Sequence, residues 1–343
     1  MNFNEFGKTG MTVSEIGFGG SRIGGFFADR NSTGEALNVL RMALESGITF
    51  YDTADMYAQG ESEALIGTAF RGQRDKVILA TKGGYCLPAQ RNLLKPVKRM
   101  LRPIVQALGL KRARLPSRFS GTLSQDFSAS HLTTALEGSL KRLRTDYVDL
   151  YQLHSPGTAF MRSDGFGAAL EALEKLKRQG KIRFYGVATE TPEDAPLCLS
   201  APGISSVQLG FGVLDLQALD QGTLAAAQAR GFGIIARGCF AGGLLKQGLD
   251  EAQLKEATPK WQRILALHSV SQSMRRPLLE MALQFCRGSP AVSVTLLGMR
   301  NRDHLRENLR YLQTDPLNAE GYAALRHAQK LDETVTVDEA TQQ

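Results

Sequence analysis

Ile48-Thr49-Phe50-Tyr51-Asp52, Val77-Ile78-Leu79-Ala80-Thr81-Lys82 and Val148-Asp149-Leu150-Tyr151-Gln152-Leu153-His154 are short, mostly apolar runs that each stop on a side chain able to do chemistry. Their β-branched and aromatic content marks them as strands, and the amphipathic stretches between them read as helices. Strands alternating with helices build a mostly parallel sheet, so the three runs point the same way. One end of that sheet then gathers Asp52, Lys82 and His154. Tyr57, five residues beyond the first run, brings a phenol to the same rim.

The same alternation continues outward from these runs. Strands are expected at Glu15–Gly19, Thr49–Asp52, Val77–Thr81, Val148–His154, Ile182–Val187, Ser206–Leu209, Gly233–Ala236 and Val292–Leu297. Helices are expected at Thr33–Ser46, Ser62–Phe70, Ser130–Leu143, Gly167–Gln179, Gln221–Arg230, Pro277–Cys286 and Asp303–Gln313. Ser130 reads as an N-cap, and Gly180, after the basic turn Lys175–Arg178, as a C′ glycine. Phe166, Leu170, Leu173 and Leu176 recur at helical spacing and leave Glu171, Glu174, Lys177 and Arg178 for water.

Eight such units predict an α/β fold, a closed (β/α)8 TIM barrel rather than an open doubly wound sheet, spanning residues 1–343 as a single domain. Three segments lie outside the alternation. Asn2–Val13, with Gly7-Lys8-Thr9-Gly10 inside it, reads as an N-terminal hairpin that plugs the barrel floor. Residues 83–128 are a long insertion after the third strand, in which Leu93, Val97, Leu101, Ile104 and Leu108 outline a basic amphipathic helix interrupted by Pro96 and Pro103. Residues 314–343 are a C-terminal helical tail, with a helix expected over Ala319–Leu331.

A chain of 343 residues, 43% apolar and 22% charged, can bury a substantial core. Its net charge of +7 raises the question of nucleic acid or an acidic membrane. The distribution argues against both, because Arg91–Arg118 alone holds nine Lys or Arg and no acidic residue occurs between Lys76 and Gln125. One insertion therefore carries the excess. The four cysteines, Cys86, Cys198, Cys239 and Cys286, have no CxxC spacing and no histidine at ligand distance in sequence, so neither a disulfide framework nor a metal site is expected. No apolar run reaches transmembrane length, and the opening residues lack the layout of a signal peptide, which makes a reducing cytoplasm the expected setting.

Catalytic groups of a βα barrel sit where strands end and loops begin. Taken singly, Asp52 could cap a loop, Lys82 could snorkel and His154 could be a satisfied core histidine. One reaction explains them together. Hydride transfer to a carbonyl carbon develops negative charge on the oxygen, which then needs a proton. A phenol, whose free pKa is about 10, releases its proton more readily beside a cation. Tyr57 would be the acid, Lys82 the cation and Asp52 the group that holds Lys82. A neutral His154 would orient the substrate oxygen.

These residues lie in blocks that resemble those of the aldo-keto reductase superfamily. The blocks are Asp52-Thr53-Ala54-Asp55-Met56-Tyr57 followed by Gly60-Glu61-Ser62-Glu63, then Ala80-Thr81-Lys82, then Leu153-His154-Ser155-Pro156. The resemblance runs from Phe3–Gly10 to Asn308. It implies a (β/α)8 barrel, NADPH/NADP+ as cofactor and reduction of an aldehyde or ketone, a small-molecule carbonyl compound.

Carried over position by position, the resemblance implies that Gln208 bonds the nicotinamide carboxamide. The family's Ser-Asn pair is here Ala188-Thr189, which leaves Thr189 as the side-chain donor. Arg237 stands where an aromatic ring often stacks, and its charge is expected to favour NADPH over NADP+. Phe240, Gly242, Gly243 and Leu244 match a backbone cradle for pyrophosphate. Gly298, Arg300, His304, Glu307 and Asn308 match the adenosine 2′-phosphate and adenine site, with His304 replacing an arginine of many relatives.

Two further functions share these residues: an NADP-dependent sugar or alcohol dehydrogenase in the oxidative direction, and an NADPH-binding sensor or regulatory subunit with slow turnover. Gly231-Phe232-Gly233-Ile234-Ile235-Ala236 fits GxGxxA in letters, but its glycines precede a strand, the reverse of a dinucleotide-binding turn. Substrate choice is expected to lie with the insertion, the Phe160–Phe166 loop, the Leu244–Trp261 region and the tail.

Overall fold

The computed structural model describes residues 1–24, 30–86, 124–246 and 258–329, with Arg30 and Asn31 as backbone only. Strands β1 (Phe3–Glu5) and β2 (Thr12–Ser14) pair antiparallel as the expected hairpin. Eight parallel strands close a barrel in the order β10-β3-β4-β5-β6-β7-β8-β9. They are β3 (Ile16–Gly19), β4 (Phe50–Asp52), β5 (Ile78–Gly83), β6 (Val148–His154), β7 (Ile182–Ala188), β8 (Ser206–Gly210), β9 (Gly233–Arg237) and β10 (Val294–Gly298). Helices α1 (Arg30–Glu45), α2 (Glu61–Ala69), α3 (Ala129–Leu143), α4 (Asp164–Arg178), α5 (Thr223–Arg230), α6 (Pro259–Ser273), α7 (Leu278–Arg287) and α8 (Arg302–Leu312) accompany the strands, and α9 (Ala319–His327) ends the described chain. The helix expected around Leu93–Leu108 lies outside the described residues, as does the end of the tail.

Side chains alternate across each strand, so a barrel strand gives every second residue to the lumen. Phe50, Ala80, Leu150, Ile235 and Val294 form an apolar layer there, and Phe6, Met11 and Val13 of the hairpin pack against it. The hairpin therefore does plug the floor, and full burial of Phe6 contributes about 2 kcal/mol. Gly233 is a glycine for this reason: a Cβ there would stand 2.6 Å from the Phe6 ring. Two residues further along four of these five strands come Asp52, Lys82, Gln152 and Arg237. An apolar floor thus carries a polar layer at the opposite, C-terminal end.

Helix α4 ends as its sequence indicates. Gly180 takes φ +72°, and the amides of Gly180 and Lys181 bond the carbonyls of Lys177 and Leu176, which closes the last turn. Helix α3 begins earlier than expected. Ser128, with extended backbone, is its N-cap and accepts from the His131 amide at 3.3 Å, while Ser130 sits within the first turn. Helix α6 carries no strong periodicity, since only Ile264 and Leu267 are buried, and hydrophobic patterning passes over it.

Candidate active site

Asp52 closes β4, Lys82 lies near the end of β5 and His154 closes β6, adjacent strands of the closed sheet. Strand register sets their heights: Asp52 pairs with Ala80, and Lys82 with Gln152. Each is buried, which for an ammonium demands partners. The Lys82 Nζ donates to Asp52 Oδ2 at 2.6 Å, to the Thr53 carbonyl at 2.9 Å and to Tyr57 Oη at 3.3 Å. These contacts use all three ammonium protons. Tyr57 Oη is then an acceptor toward Lys82, and its own O–H is left to donate away from the ammonium. Burial alone would pull the Lys82 pKa down, but the Asp52 carboxylate and Tyr57 outweigh it and hold the amine above its ordinary value. Lys82 is a fixed cation.

Tyr57 reaches this point on an unusual turn. Ala58 and Gln59 take φ +50° and +59°, ahead of Gly60 at +86°, so two non-glycine residues occupy the left-handed region. Ser62, four residues on from Ala58, secures the turn by donating to the Gly20 carbonyl at 2.9 Å and contacting Thr53 Oγ1 at 2.8 Å. Glu63, fully buried, accepts from Thr81 Oγ1 and from Arg142 Nε, each at 2.6 Å. Asp55 faces the same region with its Oδ1 buried and without a hydrogen-bond partner among the described residues. Burial and the nearby Glu63 charge push the Asp55 carboxyl up to about 7.

His154 stands edge-on to two phenol rings, Tyr57 at 5.6 Å and Tyr85 at 5.0 Å between centroids. Burial first, then the Lys82 and Arg237 charges, pull its pKa down to about 3. The imidazole is neutral at any working pH, and its Nδ1 is buried without a partner among the described residues. Tyr85 and Gln125 belong to the neck of the insertion, and the Gln125 side chain donates to the carbonyls of His154 and Ser155 at 3.0 and 2.8 Å.

A cleft runs from Asp52 and Tyr57 past Gln208 and Arg237 to Phe240, Gly242 and Gly243, and on to Gly298, Arg300, His304, Glu307 and Asn308. Most of the expected cofactor residues therefore line one continuous space. Two do not. Thr189 is buried behind it, its hydroxyl donating to the Gln208 carbonyl at 3.2 Å, and Leu244 is not part of the lining. Gln208 lines the cleft while its Nε2 donates to Asp52 Oδ1 at 2.8 Å. Arg237 Nη2 donates to the carbonyls of Thr189 and Glu190, each at 2.9 Å, so its guanidinium is held in place.

The sequence reading missed several members. Arg22 donates to the Gly242 carbonyl at 3.1 Å across the cleft, and Lys246 lines the wall near His304. Burial, then Lys246 and Arg300, lower the His304 pKa. Gln152, two residues before His154 and so on the same strand face, adds a 3.4 Å contact to Asp52 Oδ1. That period-two offset was its only signal. Arg22 and Lys246 come from loops and give none. Helix α8 opens at the cleft with Asn301 as N-cap, accepting from the His304 amide at 2.9 Å, and Asn308 Nδ2 is a buried donor with no partner among the described residues.

Comparison with known proteins bears out the family resemblance. The pattern of the aldo/keto reductase family matches residues 15–330. The Bacillus subtilis oxidoreductase YqkF is 29% identical over 97% of this chain and 98% of its own, and an L-galactose dehydrogenase of Arabidopsis thaliana is 30% identical over 88% and 85%. An aldo-keto reductase of Bacillus halodurans, solved in a holo form, superposes with a TM-score of 0.76 at 29% identity, covering 96% of both chains. With its closed barrel, the family pattern over residues 15–330 and these relatives, the chain belongs to the aldo/keto reductase family.

Proposed function

We propose that this oxidoreductase reduces an aldehyde or ketone to an alcohol with NADPH, with Tyr57 as the proton donor. The observation that carries the reading is the 3.3 Å contact of Tyr57 Oη with a Lys82 ammonium that is itself locked to Asp52 at the mouth of a long cleft. When bound, the cofactor supplies hydride to the carbonyl carbon. Tyr57 gives its outward-facing proton to the carbonyl oxygen, and Lys82 stabilises the charge left on the phenol. Asp52, fixed by Gln208 and Gln152, keeps Lys82 aimed. Neutral His154 offers a hydrogen bond that orients the substrate oxygen, and the Tyr85 ring packs edge-on against it.

The cleft fits a phosphorylated dinucleotide. Arg22, Lys246, Arg300 and His304 put positive or protonatable groups along it. Gly242 and Gly243 have φ +69° and +102°, and Cβ atoms on Gly243 and Gly298 would point into open space, so backbone there lies bare for a close approach. The orphaned Asn308 amide offers a donor for adenine. Arg300 near the start of α8 favours a 2′-phosphate, hence NADPH over NADH.

A second reading, oxidation of a sugar or alcohol with NADP+, is favoured by relatives named L-galactose dehydrogenase and pyridoxal 4-dehydrogenase. The same residues serve both directions. A sensor with slow turnover has no such support. The four cysteines are free thiols, which fits a cytoplasmic setting. Among the described residues no helix is long and apolar enough to cross a membrane.

The test is NADPH oxidation with aldehydes and ketones beside NADP+ reduction with sugars and secondary alcohols, for wild type and Tyr57→Phe. Loss of about 10²–10⁴-fold in turnover with cofactor binding retained supports the assignment. Wild-type turnover in Tyr57→Phe removes it.

A further inference from the structure

The neck of the insertion carries a second constellation, on the side facing away from the active site. Gly84-Tyr85-Cys86 and Ser124-Gln125-Asp126 run antiparallel: Tyr85 pairs with Gln125, the Cys86 amide donates to the Ser124 carbonyl and the Asp126 amide to the Gly84 carbonyl, both at 2.8 Å. Side chains alternate across such a ribbon. Tyr85 and Gln125 take the face toward His154. Cys86 and Asp126, one residue on in each strand, take the other, where the first turn of α3 presents His131. A thiol sulfur, a carboxylate oxygen and an imidazole nitrogen all lie within 4.8 Å of one another there.

We propose that Cys86, Asp126 and His131 form a binding site for a borderline-soft divalent cation, zinc in type, which staples the two strands of the neck to α3.

The donor set selects the ion. Thiolate and imidazole suit zinc and disfavour calcium or magnesium, which take oxygen shells. Bonds of about 2.0–2.3 Å to a tetrahedral centre put ligands roughly 3.5 Å apart, so small rotamer changes within the 4.8 Å cluster close the site. Three protein ligands leave the fourth position for water. His131 Nε2 is buried without a hydrogen-bond partner among the described residues, so the ring is not committed elsewhere through that nitrogen. Asp126 is already oriented, its Oδ1 accepting from the Ser128 amide at 2.8 Å and its Oδ2 lying 4.0 Å from His131 Nδ1. The ion would then join the two strands of the neck to the helix that follows, adding to the backbone pairs, the Asp126–Ser128 bond and the Ser128 N-cap seen among the described residues.

The experiment uses the full-length protein, stripped with a chelator and titrated with Zn2+ against a chromophoric competitor, then with Co2+. One equivalent of zinc, a thiolate-to-cobalt charge-transfer band and a rise in melting temperature on zinc addition are expected. Cys86→Ser should abolish the band and the melting shift. His131→Gln should weaken zinc at least as much as loss of an outer-shell partner does, about 10–100-fold. Circular dichroism of the metal-free variants checks that they fold. The proposal is overturned by no stoichiometric zinc in wild type, or by a band that persists in Cys86→Ser and so belongs to Cys198, Cys239 or Cys286. None of these readouts depends on turnover, so they are independent of the reductase assignment.

Discussion

Gln208 holds Asp52 from the opposite side of the barrel: its Nε2 donates to Asp52 Oδ1 at 2.8 Å, although β8 and β4 stand four strands apart around the closed sheet. Asp52 is therefore gripped on one oxygen by Lys82 and on the other by two glutamine amides. The cleft residue that the family resemblance assigns to the cofactor also braces the carboxylate that holds Lys82.

Gln208→Leu should lower kcat by about tenfold, since a hydrogen bond to a charged group contributes about 1.5–3 kcal/mol and Gln152 compensates only in part. Steady-state kinetics with varied cofactor and varied substrate measure it. A rise confined to the cofactor KM, with kcat unchanged, would show that the bracing of Asp52 is dispensable.

Lys82→Met removes the cation and leaves Asp52 buried with its charge uncompensated. Urea unfolding should show a loss of about 3–5 kcal/mol. Adding Asp52→Asn should recover a good part of that loss, because the stranded charge goes with it. Strict additivity of the two substitutions would contradict the coupling.

The Asp55 carboxyl, held up at about 7 against an ordinary value of 3.8, works against the fold at neutral pH. Between those two values the folded state binds the proton that the unfolded state has released, so stability falls as pH rises from about 4 to 7 and levels off above. Asp55→Asn abolishes this titration. The variant should gain on wild type with rising pH, by at most about 4 kcal/mol above pH 7. Thermal melts across pH 4–8 that stay parallel for the two proteins would refute it.

Arg237 is pinned by two backbone carbonyls beside His154, and its charge cannot swing away from a neighbouring ring. Bound NADPH should outcompete NADP+ in wild type, and Arg237→Tyr should bring the two affinities together. Fluorescence titration of each cofactor form reads the ratio. An unchanged ratio in the variant would leave the guanidinium as a structural strut.

The basic insertion marks one boundary of sequence reading. Its two ends, Tyr85 and Gln125, meet as a bridge and both touch His154, yet they lie forty residues apart in the chain. Nothing local announces that pairing. The same closure brings Cys86 to His131, a convergence that a spacing rule for metal ligands passes over. The N-cap of α3 lies two residues before the serine that the pattern suggests, since Ser128 and Ser130 are chemically equivalent and only the backbone angle chooses between them.

What the chain declares on its own is periodic or local. Alternating runs specify strands, apolar residues at helical spacing specify the covering helices, and the polar residue that stops each run specifies the rim, because a strand end fixes both height and direction of its side chain. Asp52, Lys82 and His154 are legible for that reason, and Tyr57 by its place five residues beyond the first run. Whatever depends on closure was decided only by the tertiary structure: Gln208 meeting Asp52 across the lumen, Arg22 reaching Gly242 over the cleft, Thr189 turned to brace a neighbouring strand instead of the lining. Those contacts join residues far apart in sequence, and their distances are set by strand order and register, which no single stretch of sequence contains.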